Sequence, residues 1–241
     1  EEAFSKKSWQ PQVVMFSGNT DCYQPVERKL EITRECLKVF LKFRNPLGMI
    51  TKNALIQRDI DLLKELASMQ LIKTVVSITT LNRELSRRME PRTSVPSKRL
   101  ETISKLAAAG IPVGVNTAPI IPGLNDEEIP AILKAASESG ATSAGMVMLR
   151  LPYSIKDLFE EWLQRTYPEK ATKIINRIKD IRGGELSSHE FGTRFKGEGK
   201  YAEQVHQLFK AMCTKYGLIK SHNPLRTDLF RRIKPGQEEL F

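Results

Sequence analysis

Five short apolar runs, rich in β-branched residues and separated by longer amphipathic stretches, constrain this chain more than any other feature. The runs are Val13-Val14-Met15-Phe16, Met49-Ile50-Thr51, Thr74-Val75-Val76-Ser77-Ile78, Val113-Gly114-Val115 and Ala144-Gly145-Met146-Val147-Met148-Leu149. None alternates strictly between apolar and polar, as expected of parallel strands covered on both faces. Between them apolar residues recur near the helical period, with Leu30, Leu37, Phe40 and Leu41 in the first stretch and Ile60, Leu63, Leu66 and Ala67 in the second. Pro96 to Ala109 reads as a third helix, stopped by Gly110 at a left-handed position, and Asp126 reads as the N-cap of a fourth. Strand and helix in alternation, joined by right-handed crossovers, predict an α/β fold with a parallel, curved sheet. Units of about 30 residues suit a partial barrel.

The strand-like runs cease after Leu151-Pro152-Tyr153. Residues 155–181 and 201–216 read as helices, separated by a polar, Gly-rich stretch between Gly183-Gly184 and Gly199. The expected division is therefore a partial barrel over residues 1–153, a C-terminal helical extension over 154–222 and a basic tail over 223–241. With 40% hydrophobic and 27% charged residues the composition is globular and excludes collagen-like and disordered chains. No run of 18 apolar residues occurs, and Glu1-Glu2-Ala3-Phe4 is not a signal peptide. Cys22, Cys36 and Cys213 form neither a disulfide framework nor a CxxC pair. The expectation is a soluble, cytoplasmic protein with no membrane partner.

In parallel α/β folds ligands bind at the carboxyl ends of the strands. Here those ends are polar: Ser17-Gly18-Asn19-Thr20-Asp21-Cys22 after the first run, Lys52 and Asn53 after the second, Ser77, Thr79 and Asn82 at the third, Asn116, Thr117 and the stretch from Pro119 to Asp126 at the fourth, and Arg150 after the fifth. Lys52 and Arg150 offer positive charge to a carboxylate or phosphate, Asp21 offers an acceptor to an amine, and the hydroxyls suit a sugar. Singly, each of these residues also reads as a helix cap or turn closer. As a set converging from five loops they suit a zwitterionic, nucleoside-like ligand.

The segments Ser17-Gly18-Asn19-Thr20-Asp21-Cys22-Tyr23-Gln24-Pro25-Val26-Glu27, Ile50-Thr51-Lys52-Asn53, Val76-Ser77-Ile78-Thr79, Met89-Glu90-Pro91-Arg92-Thr93 and residues 110–126 resemble, in order and spacing, the radical S-adenosylmethionine (SAM) proteins related to spore photoproduct lyase. The resemblance covers roughly residues 8–160. It implies a parallel partial (β/α)6 TIM-like barrel that binds SAM beside a four-iron four-sulfur (4Fe-4S) cluster and cleaves it reductively to a 5′-deoxyadenosyl radical. It further implies a reductant such as flavodoxin or ferredoxin. By motif, Ser17, Gly18, Asn19, Thr20 and Asp21 fall in the loop that holds the methionine amino group, Lys52 where a Thr-Lys pair reaches the methionine carboxylate, and Ser77 and Thr79 near the ribose. Pro122, Gly123 and Asn125 fall in the segment that backs the adenine, where Pro119 and Asp126 depart from the wider pattern.

Such proteins hold their cluster with a CxxxCxxC loop after the first strand, because three thiolates must reach three irons. This chain has no such loop, Cys22 and Cys36 being fourteen residues apart and Cys213 far downstream. The expectation is that the first βα unit, with its cluster loop, lies outside the chain, and that the chain by itself holds no metal and is inactive. Cys22 is a candidate hydrogen donor by its loop, although the family's cysteine aligns nearer Gly18. His189, His206 and His222 are isolated, and Glu160-Glu161 reads as a solvated face.

The net charge of +10 makes nucleic acid a candidate partner. Arg87-Arg88, Arg92 and Lys98-Arg99 cluster in one stretch, and Arg226, Arg231, Arg232 and Lys234 in another. The terminal Gln237-Glu238-Glu239-Leu240-Phe241 is similar to the peptide by which bacterial repair proteins dock on the sliding clamp. Two functional classes follow: the barrel of a radical SAM enzyme with nucleic acid as candidate substrate, and a non-catalytic adaptor for nucleic acid or the clamp. A phosphate-binding barrel enzyme is disfavoured by the lack of a Gly-rich phosphate loop or an acid/base pair.

Overall fold

The periodicity becomes, in the computed structural model, five parallel strands and ten helices among the described residues 1–186, 195–218 and 224–233. The order is α1 (Glu2–Ser5), β1 (Val14–Phe16), α2 (Glu27–Leu30), α3 (Ile32–Phe43), β2 (Leu47–Thr51), α4 (Ile60–Ser68), β3 (Ile72–Ser77), α5 (Arg83–Met89), α6 (Pro96–Ala108), β4 (Val113–Ile120), α7 (Ile129–Glu138) and β5 (Ser143–Met148). Three further helices follow: α8 (Ile155–Thr166), α9 (Pro168–Asp180) and α10 (Gly199–Lys215). All five expected strands are present, paired in chain order β1-β2-β3-β4-β5 and parallel throughout. This is the expected α/β partial barrel.

The pairing register sorts the strand residues onto two faces. Leu47 pairs with Ile72, Met49 with Thr74, and Val76 with Val115. These residues lie on the helix-covered face, where Leu47, Met49, Ile72, Val76 and Val115 are buried in one cluster with Leu37, Phe40, Leu63, Leu66, Ile103 and Leu106 from α3, α4 and α6. Ile50, Lys73, Val75, Asn116 and Gly145 alternate onto the other face and stay half-buried. The inside of the partial barrel is thus the less covered side.

Local chemistry moved several boundaries. The first amphipathic stretch is two helices, because Glu31 takes a left-handed conformation at φ 51° and ends α2. Leu30 is consequently 52% exposed, while Leu37 and Phe40 are buried. The stretch 155–181 breaks at Tyr167-Pro168, where proline lacks the N–H that would continue the helix. Asp126 caps no α-helix but opens a 3-10 turn, Asp126–Glu128, and its Oδ1 accepts from the Gly123 N–H at 2.8 Å. Gly110, by contrast, follows α6 at φ +75° as read.

The C-terminal helices pack at two places. Ala202, Val205 and Phe209 of α10 join the main core beside Ile132 and Leu133 of α7. Leu163, Ile174 and Ile178 of α8 and α9 form a second cluster with Ile121, Leu149 and Leu151, above the ends of β4 and β5. The basic stretch near the C-terminus lies, over residues 224–233, at the opposite end of the sheet: Arg226 N donates to Gln70 O and Arg231 N to Phe43 O, both at 3.0 Å, just ahead of β3 and β2. Lys234 and the clamp-like residues 237–241 are outside the described residues, as are His189 and His222. Among the described residues no helix is long and apolar enough to cross a membrane.

Candidate functional site

The loop after β1 is stapled from below and open above. Ser17 sits at φ +73°, a costly conformation for a residue with a Cβ, and its Oγ accepts from the Cys22 N–H at 3.0 Å. Asp21 is fully engaged within the chain: Oδ1 accepts from Tyr23 N at 2.9 Å and Thr51 Oγ1 at 2.8 Å, and Oδ2 accepts from Lys52 N at 2.8 Å. Tyr23 is buried, its hydroxyl donating to Asp59 at 3.0 Å, and Arg34 and Arg58 hold Asp59 in turn. These ties anchor the loop to β2 and leave Gly18, Asn19 and Thr20 exposed at its crest. Thr20 Oγ1 accepts from Gln24 Nε2 at 2.8 Å.

Lys52, just beyond β2, meets a partner that lies outside the strand ends. Its Nζ pairs with Oε1 of Glu90, from the turn after α5. Glu90 Oε2 accepts from Arg99 Nη2 at 2.7 Å, and Thr79 Oγ1 donates to Glu90 Oε1 at 2.8 Å. Arg99 also donates to Ser94 O at 2.6 Å, to Ser77 O at 3.0 Å and to Thr93 Oγ1. Burial works to raise the Glu90 pKa, but the Lys52 and Arg99 cations beside it outweigh burial and hold the carboxyl below its ordinary value. The sequence groups Arg99 with a basic surface patch; the structure leaves it 1% exposed. Its helical spacing with Pro96, Ile103 and Leu106, all buried on α6, was the available signal.

At the ends of β3 and β4 the predicted residues are buried and mutually bonded. Ser77, Thr79 and Asn125 are each under 4% exposed. Asn125 Nδ2 donates to Thr79 O at 2.8 Å and Pro119 O at 3.0 Å, while its Oδ1 accepts from Ile121 N at 2.7 Å. Pro122 is buried. Gly123 takes φ +79° against α9, where an added Cβ would lie 2.8 Å from Arg177 Nη1. Arg177 covers the Tyr201 ring at 5.1 Å, and the Tyr201 hydroxyl donates to Asp126. The structure therefore brings Ser17 to Asp21, Lys52, Ser77 and Thr79 to adjacent strand ends, with Pro122, Gly123 and Asn125 beneath α9.

The cysteines do not assemble a cluster ligand set. Cys22 lies in the β1 loop, Cys36 within α3 and Cys213 on α10, where it lines a cavity of about 800 Å³ together with Met146, Phe209 and Leu218. Burial pushes the Cys22 thiol up to about 12, with Asp21 adding to the shift against the Ser17 hydrogen bond. Among the described residues no three His, Cys, Asp or Glu side chains converge as a metal site. A 4Fe-4S cluster does not fit these thiols. SAM fits in part: Asn19 and Thr20 remain available, whereas Asp21, Asn125 and Lys52 are engaged by the chain's own groups.

Comparisons with known proteins agree with this architecture. An uncharacterised protein of Mycobacterium tuberculosis is 28% identical over 240 residues, 98% of this chain and 66% of that protein. A protein of Methanocaldococcus jannaschii is 29% identical over 164 residues, 68% of this chain and 60% of that protein. This chain thus spans just under two thirds of the mycobacterial relative. Among solved structures, spore photoproduct lyase complexed with dinucleoside spore photoproduct superposes with a TM-score of 0.63 at 14% identity, over 87% of this chain and 60% of that one. At that identity the likeness is one of fold. Residues 2–136 match the radical SAM superfamily, more than half of the chain, and the chain therefore belongs to the radical SAM superfamily.

Proposed function

We propose that this chain is the barrel portion of a radical SAM enzyme that acts on nucleic acid. The observation carrying the proposal is the shared location of the exposed Gly18-Asn19-Thr20 crest and the Lys52–Glu90–Arg99 cluster at adjacent carboxyl ends of parallel strands, where such folds bind their ligands. Superfamily membership implies SAM and a 4Fe-4S cluster, and together they supply radical chemistry when bound. In this reading Asn19 and Thr20 receive the amino-acid end of SAM, and Lys52 turns from Glu90, which keeps Arg99, to meet its carboxylate. Asp21 acts indirectly, setting the loop by accepting from Thr51 and Lys52 N. Ser77 and Thr79 shape the neighbouring wall, and Pro122, Gly123 and Asn125 form the floor under α9. Cys22 stays a protonated thiol at neutral pH, the form a hydrogen-atom donor needs. The cluster thiolates are supplied by residues other than Cys22, Cys36 and Cys213. Nucleic acid as substrate rests on the +10 charge and on the fold shared with spore photoproduct lyase.

The test is anaerobic reconstitution with iron and sulfide of the protein expressed from the complete gene, followed by assay for 5′-deoxyadenosine. Reductive cleavage of SAM that is lost in Lys52→Ala is the expected result. A protein that binds no cluster and cleaves no SAM would overturn the reading.

A further inference from the structure

Two cations stand on the rim of this barrel, and the structure treats them differently. Lys52 at the end of β2 is neutralised by Glu90. Arg150, two residues beyond β5, forms no ion pair or hydrogen bond among the described residues, and its Nε is buried without an acceptor. Its guanidinium carbon lies over the Phe195 ring, 5.8 Å from the centroid. Behind it lies Arg182, 5% exposed, whose Nη2 donates to Leu149 O at 2.6 Å. The two guanidiniums are close enough that, after burial, the charge of Arg150 is the next cause lowering the Arg182 pKa. Glu198 acts against that repulsion at Arg182, and the half-buried Arg150, with its Nε lacking an acceptor, is the guanidinium of the two still suited to take an anion.

Location narrows the identity of that anion. β2 and β5 are three strands apart, about 14 Å along the sheet at a spacing of about 4.8 Å per strand. A carboxylate held at Lys52 is therefore out of reach of Arg150, which serves a different part of the bound material. Phe195, 44% exposed beside Arg150, presents an aromatic plane next to the positive charge. A planar cation and an exposed ring side by side form the pairing that receives a backbone phosphate and stacks its base. We propose that Arg150 receives a phosphodiester of the nucleic-acid substrate, with Phe195 as the platform for the adjoining base. This rests on the reading of the strand ends as the ligand site.

The test is fluorescence anisotropy of a labelled short oligothymidylate with the 241-residue chain and its variants, across a salt series. Arg150→Gln should weaken binding about tenfold and lower the salt slope by about one phosphate contact. Phe195→Leu should weaken binding while keeping the slope. Arg226→Gln, at the far end of the sheet and paired with Asp228, should change neither. Arg150→Lys keeps the charge and covers the case in which the glutamine variant fails to fold; it should keep the slope and lose affinity. Unchanged oligothymidylate affinity in Arg150→Gln, or no binding by the parent chain, overturns the proposal. So does a loss of SAM binding in Arg150→Gln, by calorimetry, with oligothymidylate affinity retained. Absence of SAM binding in the parent chain, with Arg150-dependent oligothymidylate binding intact, would count against the SAM reading alone.

Discussion

Glu90 and Arg99 form an ion pair at 2.7 Å with side chains only 7% and 1% exposed, and this pair ties the turn after α5 to the first turn of α6. Around it Thr79, Thr93 and Lys52 all direct polar atoms at the same two residues. The wall between β2 and β3 is therefore set by a carboxylate that lies in neither strand.

Replacing Glu90 by Gln leaves the Arg99 guanidinium buried without a counter-charge. The expected cost is about 3–5 kcal/mol of folding stability by chemical denaturation. Arg87→Ala, which breaks only an exposed pair with Glu84, should cost under about 1 kcal/mol. Similar losses in both variants would show that the Glu90 cluster contributes nothing special.

The same group makes stability depend on pH. Glu90 titrates below its ordinary value of 4.5 in the folded chain, so the native state favours the charged form. Its contribution is complete above that value and is lost as pH falls through the lower folded-state pKa. Denaturation midpoints at pH 7 and pH 4 should therefore diverge more for the parent chain than for Glu90→Gln. Equal divergence in the two proteins would remove Glu90 as a source of the acid sensitivity.

Cys22 should be a poor nucleophile in the folded protein. Raising its pKa from 9.0 to about 12 lowers the thiolate fraction on the order of a thousandfold at pH 8. Alkylation by iodoacetamide, followed by peptide mass spectrometry, should label Cys22 slowly in the native chain and rapidly in urea. Rapid native labelling would mean that the thiol is not held protonated in its loop.

Gly123 and Gly110 separate two costs of adding a methyl group. Both have positive φ, +79° and +75°, but only Gly123 faces a neighbour, Arg177 Nη1 at 2.8 Å. Gly110→Ala should cost about 1–2 kcal/mol from backbone conformation alone. Gly123→Ala should cost more by what it takes to displace the Arg177 side chain from over the Tyr201 ring. Equal losses would mean that the Arg177 side chain moves aside without penalty.

Strand number and order were legible in the sequence because they rest on local chemistry. An apolar run such as Thr74-Val75-Val76 is short, β-branched and flanked by helical spacing, and each such run met its chain neighbour. The polar residues at the strand ends were legible as well, since position after a strand places a residue on the rim whatever its partners are. What those residues face was not. Asp21 looks like an acceptor for a ligand amine until Thr51, thirty positions later, donates to it. Lys52 looks like an open cation until Glu90, thirty-eight positions on, takes it. Arg99 looks like surface charge until α6 turns it inward. Local propensity sets where a strand begins and ends, because it acts over a few residues of backbone. Which charge neutralises which is decided by the approach of segments distant in the chain, and so the tertiary structure alone paired Lys52 with Glu90 and left Arg150 without a carboxylate partner among the described residues.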